Sequence, residues 1–160
     1  MYFEAVAFTQ YIVNNKLVNL RRGTILQLSE NGELKAAMYT ASYEHIKAWQ
    51  MAHLLALEVY KATRKFPKEE VFGLTSQLRR AAISIPTNIV EGYARQNQKV
   101  FGTFLDTSYA SLVEVKYLLK FSVEIGYISK QDFVKLEESA DEVGRILWRF
   151  MKEVKSESRR

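Results

Sequence analysis

The stretch FGLTSQLRRAAISIPTNIVEGYAR, from Phe72 to Arg95, constrains the fold most, because its apolar residues recur at steps of three and four. That spacing predicts a helix, from about Glu70 to Arg95, with the apolar residues on one face and Arg79 and Arg80 beside it. The apolar seam of this helix is Leu74, Leu78, Ala82, Ile85 and Ile89.

Two prolines mark interruptions of helical structure. Pro86 lies inside the seam just described, where it removes a backbone donor and crowds the preceding turn. A bend is therefore expected near Ser84 or Ile85. Pro67 is expected to end a first helix, predicted from Ser42 to Lys65.

Three further seams show the same steps, which are typical of helices packed in a left-handed bundle. The seam of the first helix is Ile46, Trp49, His53, Ala56, Tyr60 and Thr63. The seam of a third helix, predicted from about Asn97 to Ile125, is Phe101, Leu105, Ser108, Leu112, Val115, Leu119 and Ser122. The seam of a fourth helix is Phe133, Leu136, Ala140, Val143, Leu147, Phe150 and Val154.

Polar residues and glycine mark the predicted helix ends. Ser42 is a candidate N-cap of the first helix, and Ser129 with Asp132 resembles a capping box at the start of the fourth. Gly126 is expected to end the third helix in left-handed backbone geometry. Four helices with short connections predict an all-α, up-and-down antiparallel four-helix bundle with a kinked second helix, preceded by a short N-terminal extension.

The predicted bundle occupies residues 38–160, and residues 1–37 form the extension. Within and just beyond the extension, the segment ILQLSENGELKAAMY is typical of two short strands around Asn31-Gly32, a dipeptide suited to a tight hairpin turn. An isolated hairpin is marginal in water, so it would need to dock or pair. The extension is thus either a β-hairpin or a mobile leader.

Length and composition indicate one domain in a reducing compartment. The 160 residues suffice for a single core, and the chain contains no cysteine. No apolar run approaches the roughly 20 residues of a membrane helix, and the N-terminus lacks the features of a secretory signal. A cytoplasmic protein without membrane contact is expected.

The net charge of +5 is distributed unevenly. Residues 101–142 contain four lysines and eight acidic residues, a balance of −4, whereas residues 143–160 contain six basic and two acidic residues. The two ends of the bundle are therefore expected to differ in charge.

Catalytic and metal-binding motifs are absent from the sequence. There is no GxSxG turn, phosphate loop, dinucleotide fingerprint or HExxH pair. His45 and His53 are eight residues apart, too far for an adjacent helical metal pair. His53 is interpreted as a hydrogen-bonded core residue and His45 as a surface residue. No enzymatic activity, cofactor or metal is expected.

Basic residues are the candidate functional groups, and they are expected to contact RNA phosphates without reading bases. Tyr93, close to Arg95, is a candidate for stacking on an unpaired base. Glu91 has the spacing of a helical ion pair with Arg95, so a solvated helix face or intersubunit ion pairs stay open as the alternative. The candidate residues are Arg79, Arg80, Arg95, Lys99, Arg145, Arg149, Lys152 and Lys155, followed by Arg159 and Arg160 at the C-terminus.

Several apolar residues fall outside the seams. They indicate either a wide core-facing stripe or a subunit interface. These residues are Leu54, Leu55, Leu57, Val59, Leu118, Phe121 and Ile125.

Four linked motifs carry a family resemblance over roughly Tyr39 to Val154. They are YEHIKAWQMAHLLALEVYKATRKFP, FGLTSQLRRA, SIPTNIVEGYAR and FLDTSYASLVEVKYLL, in that order. With them the chain resembles the four-helix-bundle family encoded by intervening sequences of bacterial 23S ribosomal RNA genes, which includes the Avd proteins of diversity-generating retroelements. The resemblance implies a ring-forming bundle, commonly a homopentamer, that binds RNA and, in the retroelement members, a reverse transcriptase.

The sequence is therefore interpreted as a non-catalytic oligomeric scaffold, most simply a homopentamer, for RNA or a ribonucleoprotein partner. In the retroelement branch that partner would be a reverse transcriptase with its template RNA. The alternative is a protein–protein assembly module without nucleic-acid binding, in which the arginines hold subunits together.

Overall fold

The computed structural model describes residues 10–13, 16–19, 24–28, 34–37, 43–95 and 97–157. Contacts within the chain divide it into two compact units, Met1–Ser42 and Tyr43–Arg160. The described strands lie in the first unit and the described helices in the second, so each unit is presented by itself.

The N-terminal unit contains a four-stranded antiparallel sheet in which each strand pairs with the next along the chain. Its strands are β1 Gln10–Val13, β2 Lys16–Asn19, β3 Thr24–Leu28 and β4 Leu34–Ala37. The predicted hairpin corresponds to β3 and β4, in which Leu28 lies opposite Leu34. The predicted turn at Asn31-Gly32 lies outside the described residues. Strands β1 and β2 were not predicted, because the prediction of β3 and β4 depended on the Asn-Gly dipeptide between them, and no such dipeptide stands between β1 and β2.

The C-terminal unit is a bundle of four helices, which confirms the predicted fold class. They are α1 Lys47–Ala62, α2 Leu74–Ala94, α3 Gln98–Glu124 and α4 Lys130–Glu157. Each helix packs against the next, and α1 closes the ring of contacts against α4. Among the described helices, none is both long and apolar enough to cross a membrane.

Neighbouring helices run antiparallel, as cross-helix contacts show. On α3 and α4, Tyr109 meets Trp148 while Lys116, later in α3, meets Asp141, earlier in α4. The short connections leave no other arrangement for consecutive helices. Residues distant in sequence, such as those at the start of α3 and the end of α4, therefore share one end of the bundle.

The core lies along the predicted seams of three helices. All seven residues of the α3 seam are buried, as are Leu78, Ala82, Ile85 and Ile89 of α2. On α4, Leu136, Ala140, Val143, Leu147 and Val154 are buried, with Phe133 and Phe150 packed at the edge. These helices confirm that steps of three and four identified the core-facing side.

The predicted seam of α1 is correct at Ala56 and Thr63, which are buried, but the buried face is centred about one residue away from it, a rotation of about 100° on a helix. His53 and Tyr60 are exposed, and the predicted core histidine instead stacks on Trp49 with ring centroids 5.1 Å apart. The buried face consists of Ala48, Ala52, Leu55, Ala56 and Val59. Alanines allow the neighbouring helices to approach closely, and the larger aromatics are thereby placed at the rim. His45 is exposed, as predicted.

The predicted bend in α2 is confirmed, since the helix bends by 39° around its internal Pro86. Polar side chains bond the backbone carbonyls of the turn before the proline. Asn88 Nδ2 donates to the Ser84 carbonyl over 2.8 Å, and Ser108 Oγ from α3 donates to the Ile85 carbonyl over 2.8 Å. Ser84 and Ser111 also share a hydroxyl–hydroxyl bond of 2.8 Å, so α3 holds the bend in place.

Three of the helix ends follow from specific caps. The Val100 N–H donates to the Asn97 side chain at the start of α3, and the Asp132 N–H donates to Ser129 Oγ at the start of α4. Gly126 adopts φ of 82° after α3, as expected for a left-handed terminator. The predicted cap Ser42 lies outside the described residues, and α1 is preceded by a 3₁₀ turn, Tyr43–His45.

The start of α2 differs from the prediction by about one turn. The connection from α1 contains two 3₁₀ turns, Thr63–Lys65 and Lys68–Val71, so α2 begins at Leu74 rather than Glu70. The Glu70 carboxylate accepts the Leu74 N–H over 2.9 Å and caps the free amides there.

Candidate nucleic-acid interface

The predicted basic residues lie on separate parts of the bundle. Arg79 and Arg80 lie near the start of α2, whereas Arg95 follows its last turn. At 1.5 Å per residue, Arg79 and Arg95 are about 24 Å apart along the helix. Arg95 and Lys99 share their end of the bundle with the C-terminal part of α4. The candidates therefore form two groups, one near the start of α2 and one that extends from the middle of α4 to the opposite end of the bundle.

Arg79 is engaged by α1. Its Nε donates to Thr63 Oγ1 over 2.8 Å, and its guanidinium lies 4.9 Å from the centre of the Tyr60 ring. Thr63 is only 3% exposed, and its hydroxyl also bonds the Val59 carbonyl over 2.9 Å. The half-buried Arg79 thus connects α2 to the end of α1, a structural role that the sequence did not indicate.

Arg80 is exposed, but its guanidinium bonds side chains of its own helix. Its Nη1 donates to Ser76 Oγ over 2.8 Å, and its Nη2 donates to Gln77 Oε1. Gln77 in turn donates to Glu114 on α3. Free donors of the guanidinium fork stay available at the surface, so Arg80 can add to a positive field but is partly committed to local bonds.

Arg95 packs over an aromatic ring instead of the expected carboxylate. Its guanidinium lies 5.7 Å from the centre of the Phe104 ring, and no ion pair joins it to Glu91 within the described residues. Tyr93 is half-buried and meets Phe101 edge-on at 6.3 Å, so its ring packs on the core. Lys99 is exposed in the first turn of α3.

The basic residues of α4 differ in their partners. Lys155 forms an ion pair with Asp106 at 2.5 Å, so its charge is matched. Arg145, Arg149 and Lys152 are exposed, and none of them has a carboxylate partner in the described part of the chain. Arg80, Arg95 and Lys99 likewise take part in no ion pair of the described residues, but Arg145, Arg149 and Lys152 lie together within about two turns of one helix. Arg159 and Arg160 lie outside the described residues.

Trp148 lies among these three cations and was missed by the sequence interpretation. Its side chain is 46% exposed, with Lys152 Nζ 5.3 Å from the ring centre and the Tyr109 ring 5.6 Å away. We call Arg145, Trp148, Arg149 and Lys152 the α4 basic surface. The spacing of Arg145, Trp148 and Lys152 at steps of three and four, which places them on one helix side, was the available signal.

An open groove between α3 and α4 adjoins this surface. Two of the residues along it neutralise each other, because Lys116 Nζ bonds Asp141 over 2.6 Å. The groove therefore adds no net negative charge beside the cations. Its lining residues are Tyr109, Lys116, Asp141, Gly144, Arg145 and Trp148.

Apolar side chains are exposed on the outer side of α3. Val113 is 53% exposed and Tyr117 is 64% exposed, and Phe121, which stacks on Tyr117, is 41% exposed. We call these three residues the α3 apolar stripe. Their spacing of four residues places them on one side of the helix, away from the buried seam.

No clustered ligands for a metal ion occur among the side chains that the structure describes.

Burial raises the pKa of the Tyr127 phenol above its usual range, and the neighbouring Glu70 carboxylate raises it further by a smaller amount. The Tyr127 hydroxyl donates to Glu70 Oε1 over 3.4 Å. This contact joins the connection between α3 and α4 to the connection between α1 and α2.

The fold of the C-terminal unit places it in the class of all-α, antiparallel four-helix bundles. The chain belongs to the 23S rRNA-intervening sequence protein family, whose sequence model matches residues 44–149. This confirms the family resemblance of the motifs, whereas the Avd branch stays a prediction.

One solved structure shows the same fold. It is described as a protein with unknown function from the S23 ribosomal protein family of Bacteroides thetaiotaomicron VPI-5482, and it is 20% identical to this chain. The match covers 66% of this chain and 95% of that chain with a TM-score of 0.61. A search of functionally curated proteins finds no match.

Proposed function

We propose that this protein is a non-catalytic, homo-oligomeric scaffold of the cytoplasm that binds RNA or a ribonucleoprotein through phosphate contacts. The observation that carries the proposal is the α4 basic surface, where Arg145, Arg149 and Lys152 have no carboxylate partner among the described residues. Cations that are not neutralised within the protein can release the counterions condensed on a nucleic acid, which is the main source of sequence-independent affinity.

The remaining candidates contribute to different degrees in this proposal. Arg95 and Lys99 extend the positive field at the same end of the bundle, and Arg80 supplies a more distant contact. Lys155 contributes less because Asp106 matches its charge. Arg79 is held by Thr63 and Tyr60, so its main effect is on stability.

Assembly into a ring would multiply these contacts. Several weak phosphate contacts displayed on linked subunits gain avidity through their high effective concentration, even when one subunit binds poorly. A closed rotational assembly, with five subunits as the family resemblance implies, satisfies a repeated interface without an open end. In a retroelement, the same assembly would hold template RNA close to a reverse transcriptase.

A protein–protein assembly module is the second candidate function. The α3 apolar stripe favours it, because exposed apolar side chains grouped on one helix side are typical of interaction surfaces. In that function the basic residues would serve solubility or intersubunit ion pairs, and RNA would be retained weakly at every salt concentration.

The test replaces Arg145, Arg149 and Lys152 together with Gln and measures RNA retention over a series of salt concentrations. For single-stranded RNA, three lost phosphate contacts reduce the salt slope by about 2 units, at roughly 0.7 per contact. Affinity should fall for RNAs of unrelated sequence alike, because phosphate contacts carry no base information.

The matched control replaces Lys61, Lys68 and Lys120 with Gln. All three are exposed and outside the ion pairs of the described chain, so the net charge changes equally. Equal salt slopes for the two triple variants would show that only total charge matters and would remove the α4 basic surface as a site. Absence of RNA retention by the unmodified protein at low salt would favour the assembly module.

A further inference from the structure

We propose that Trp148 is a stacking site for an unpaired base of single-stranded RNA, with Arg145 and Lys152 holding the phosphates on either side. This inference rests on the proposed function and specifies the form of RNA that the α4 basic surface accepts. Trp148 is a large aromatic residue that lies at the surface of the bundle.

The position of Trp148 is not dictated by packing of the core. Its neighbour Leu147 is fully buried, whereas 46% of Trp148 is exposed. Tyr109 of α3 contacts the indole at 5.6 Å and fixes where it lies, but it leaves much of the ring accessible. A ring held in place by one neighbour and open to solvent is what base stacking requires.

Gly144 and Trp148 both line the groove between α3 and α4. They are four residues apart, so they lie on the same side of α4. A Cβ built at Gly144 has Leu112 Cδ2 at 3.4 Å as its nearest neighbour, an ordinary contact with the core. Core packing would therefore accept alanine, so packing does not require a glycine at this place in the groove.

The charges around the ring suit a nucleotide. Arg145 and Lys152 lie one turn before and one turn after Trp148, about 10 Å apart along the helix axis. Both have long flexible side chains that can reach phosphates flanking a stacked nucleoside. Of the nearby carboxylates, Asp141 and Asp106 are matched by lysines at 2.6 and 2.5 Å, so they do not repel a phosphate strongly. Glu142 and Glu153 are exposed on the Arg149 side of α4, which places the phosphates on the side of Arg145 and Lys152.

Lys152 lies over one part of the Trp148 ring. Its Nζ lies 5.3 Å from the Trp148 ring centre, at the distance of a cation–π contact. A base that stacks on the indole can replace this contact, and the released ammonium can then pair with a phosphate of the same strand. Because Arg145 and Lys152 are assigned to phosphates and not to base edges, little sequence preference is expected.

Trp148 fluorescence tests the inference directly. The chain has two tryptophans, so Trp49→Phe leaves Trp148 as the only indole in the chain. A short adenosine oligoribonucleotide should quench this fluorescence as it binds, whereas a blunt RNA duplex and inorganic polyphosphate should bind without comparable quenching. Unchanged fluorescence with the single strand at saturation would overturn the inference.

Affinity supplies the second measurement. Trp148→Leu keeps an apolar side chain over the groove but removes the aromatic ring, and it should weaken single-strand binding by about 5- to 100-fold. Duplex affinity should stay the same, since phosphate contacts are intact. Phe72→Leu is the matched control, because Phe72 is 95% exposed at the opposite end of the bundle and should have no effect.

The outcomes separate this inference from the proposed function. Retention of single strands with equal affinity by the Trp148→Leu variant and the unmodified protein would refute stacking while leaving phosphate binding in place. Loss of both single-strand and duplex binding in Trp148→Leu, with an unchanged melting profile, would also refute a role of Trp148 in stacking on unpaired bases. Failure of the unmodified protein to retain any RNA at low salt would refute the proposed function itself.

Discussion

Replacing Arg79 with Gln should lower stability more than it lowers RNA affinity, although Arg79 and Arg80 are adjacent in sequence. The substitution removes the bond from Nε to Thr63 Oγ1 and the contact with the Tyr60 ring. Thr63 keeps its bond to the Val59 carbonyl, so no buried hydroxyl is left without a partner. The loss is therefore limited to the two contacts that Arg79 itself makes.

The expected decrease in the free energy of unfolding follows from these two contacts. A hydrogen bond to a charged group contributes about 1.5–3 kcal/mol, which we reduce to about 1 kcal/mol because Arg79 is only half-buried. The cation–π contact adds about 0.5–1 kcal/mol. A total of about 1–2 kcal/mol corresponds to a decrease in melting temperature of about 3–8 °C for a domain of this size.

Urea unfolding at one fixed protein concentration measures the effect, with Arg80→Gln as the matched control because it changes the same charge. Among the described residues, Arg80 bonds only side chains of its own helix, so its replacement should cost less than about 0.5 kcal/mol. A double-mutant cycle with Thr63→Val isolates the coupling between the two helices. Equal stability of the two arginine variants, combined with a reduced RNA salt slope for Arg79→Gln alone, would refute this reasoning.

Three other outcomes are expected. Gly92→Ala should destabilise the bundle by about 1–3 kcal/mol in a denaturant titration, because its Cβ would lie 2.6 Å from Phe101 and 2.7 Å from Phe104, whereas Gly144→Ala should cost nothing. Removal of residues 1–37 should preserve the helical circular dichroism signal and cooperative melting, and an unfolded product would show that the N-terminal unit is required. Sedimentation equilibrium should give the mass of a closed oligomer, five subunits by expectation, and a monomer mass at micromolar concentration would contradict it.

The sequence predicted the helices well where large apolar residues follow one seam. On α4, bulky buried residues such as Leu136 and Leu147 are separated by charged ones, so only one face can be buried. On α1, apolar residues surround much of the helix, and the pattern fits two registers. The aromatic residues favoured the wrong register, because burial there depends on how closely α1 approaches its neighbours at Ala52 and Ala56, which is a tertiary property.

The candidate site was less predictable than the fold. Charge spacing identified Arg145, Arg149 and Lys152, but it could not show which cations are neutralised by residues distant in sequence. Asp106, which pairs with Lys155, precedes it by 49 positions on another helix. Trp148 was overlooked because a single aromatic residue beside a seam is usually core, and only packing against Tyr109 shows how much of the ring stays exposed.

The two ion pairs between α3 and α4 also favour the antiparallel orientation of these helices. Along α3 the aspartate, Asp106, comes before the lysine, Lys116, and along α4 Asp141 likewise comes before Lys155. Antiparallel packing therefore matches opposite charges, whereas parallel packing of the same two helices would place carboxylate by carboxylate and ammonium by ammonium. Each exposed pair stabilises the bundle by at most about 1 kcal/mol, yet the reversed topology would exchange attraction for repulsion at both positions. These pairs thus act mainly by excluding an alternative arrangement, a function that a measurement of stability alone would miss.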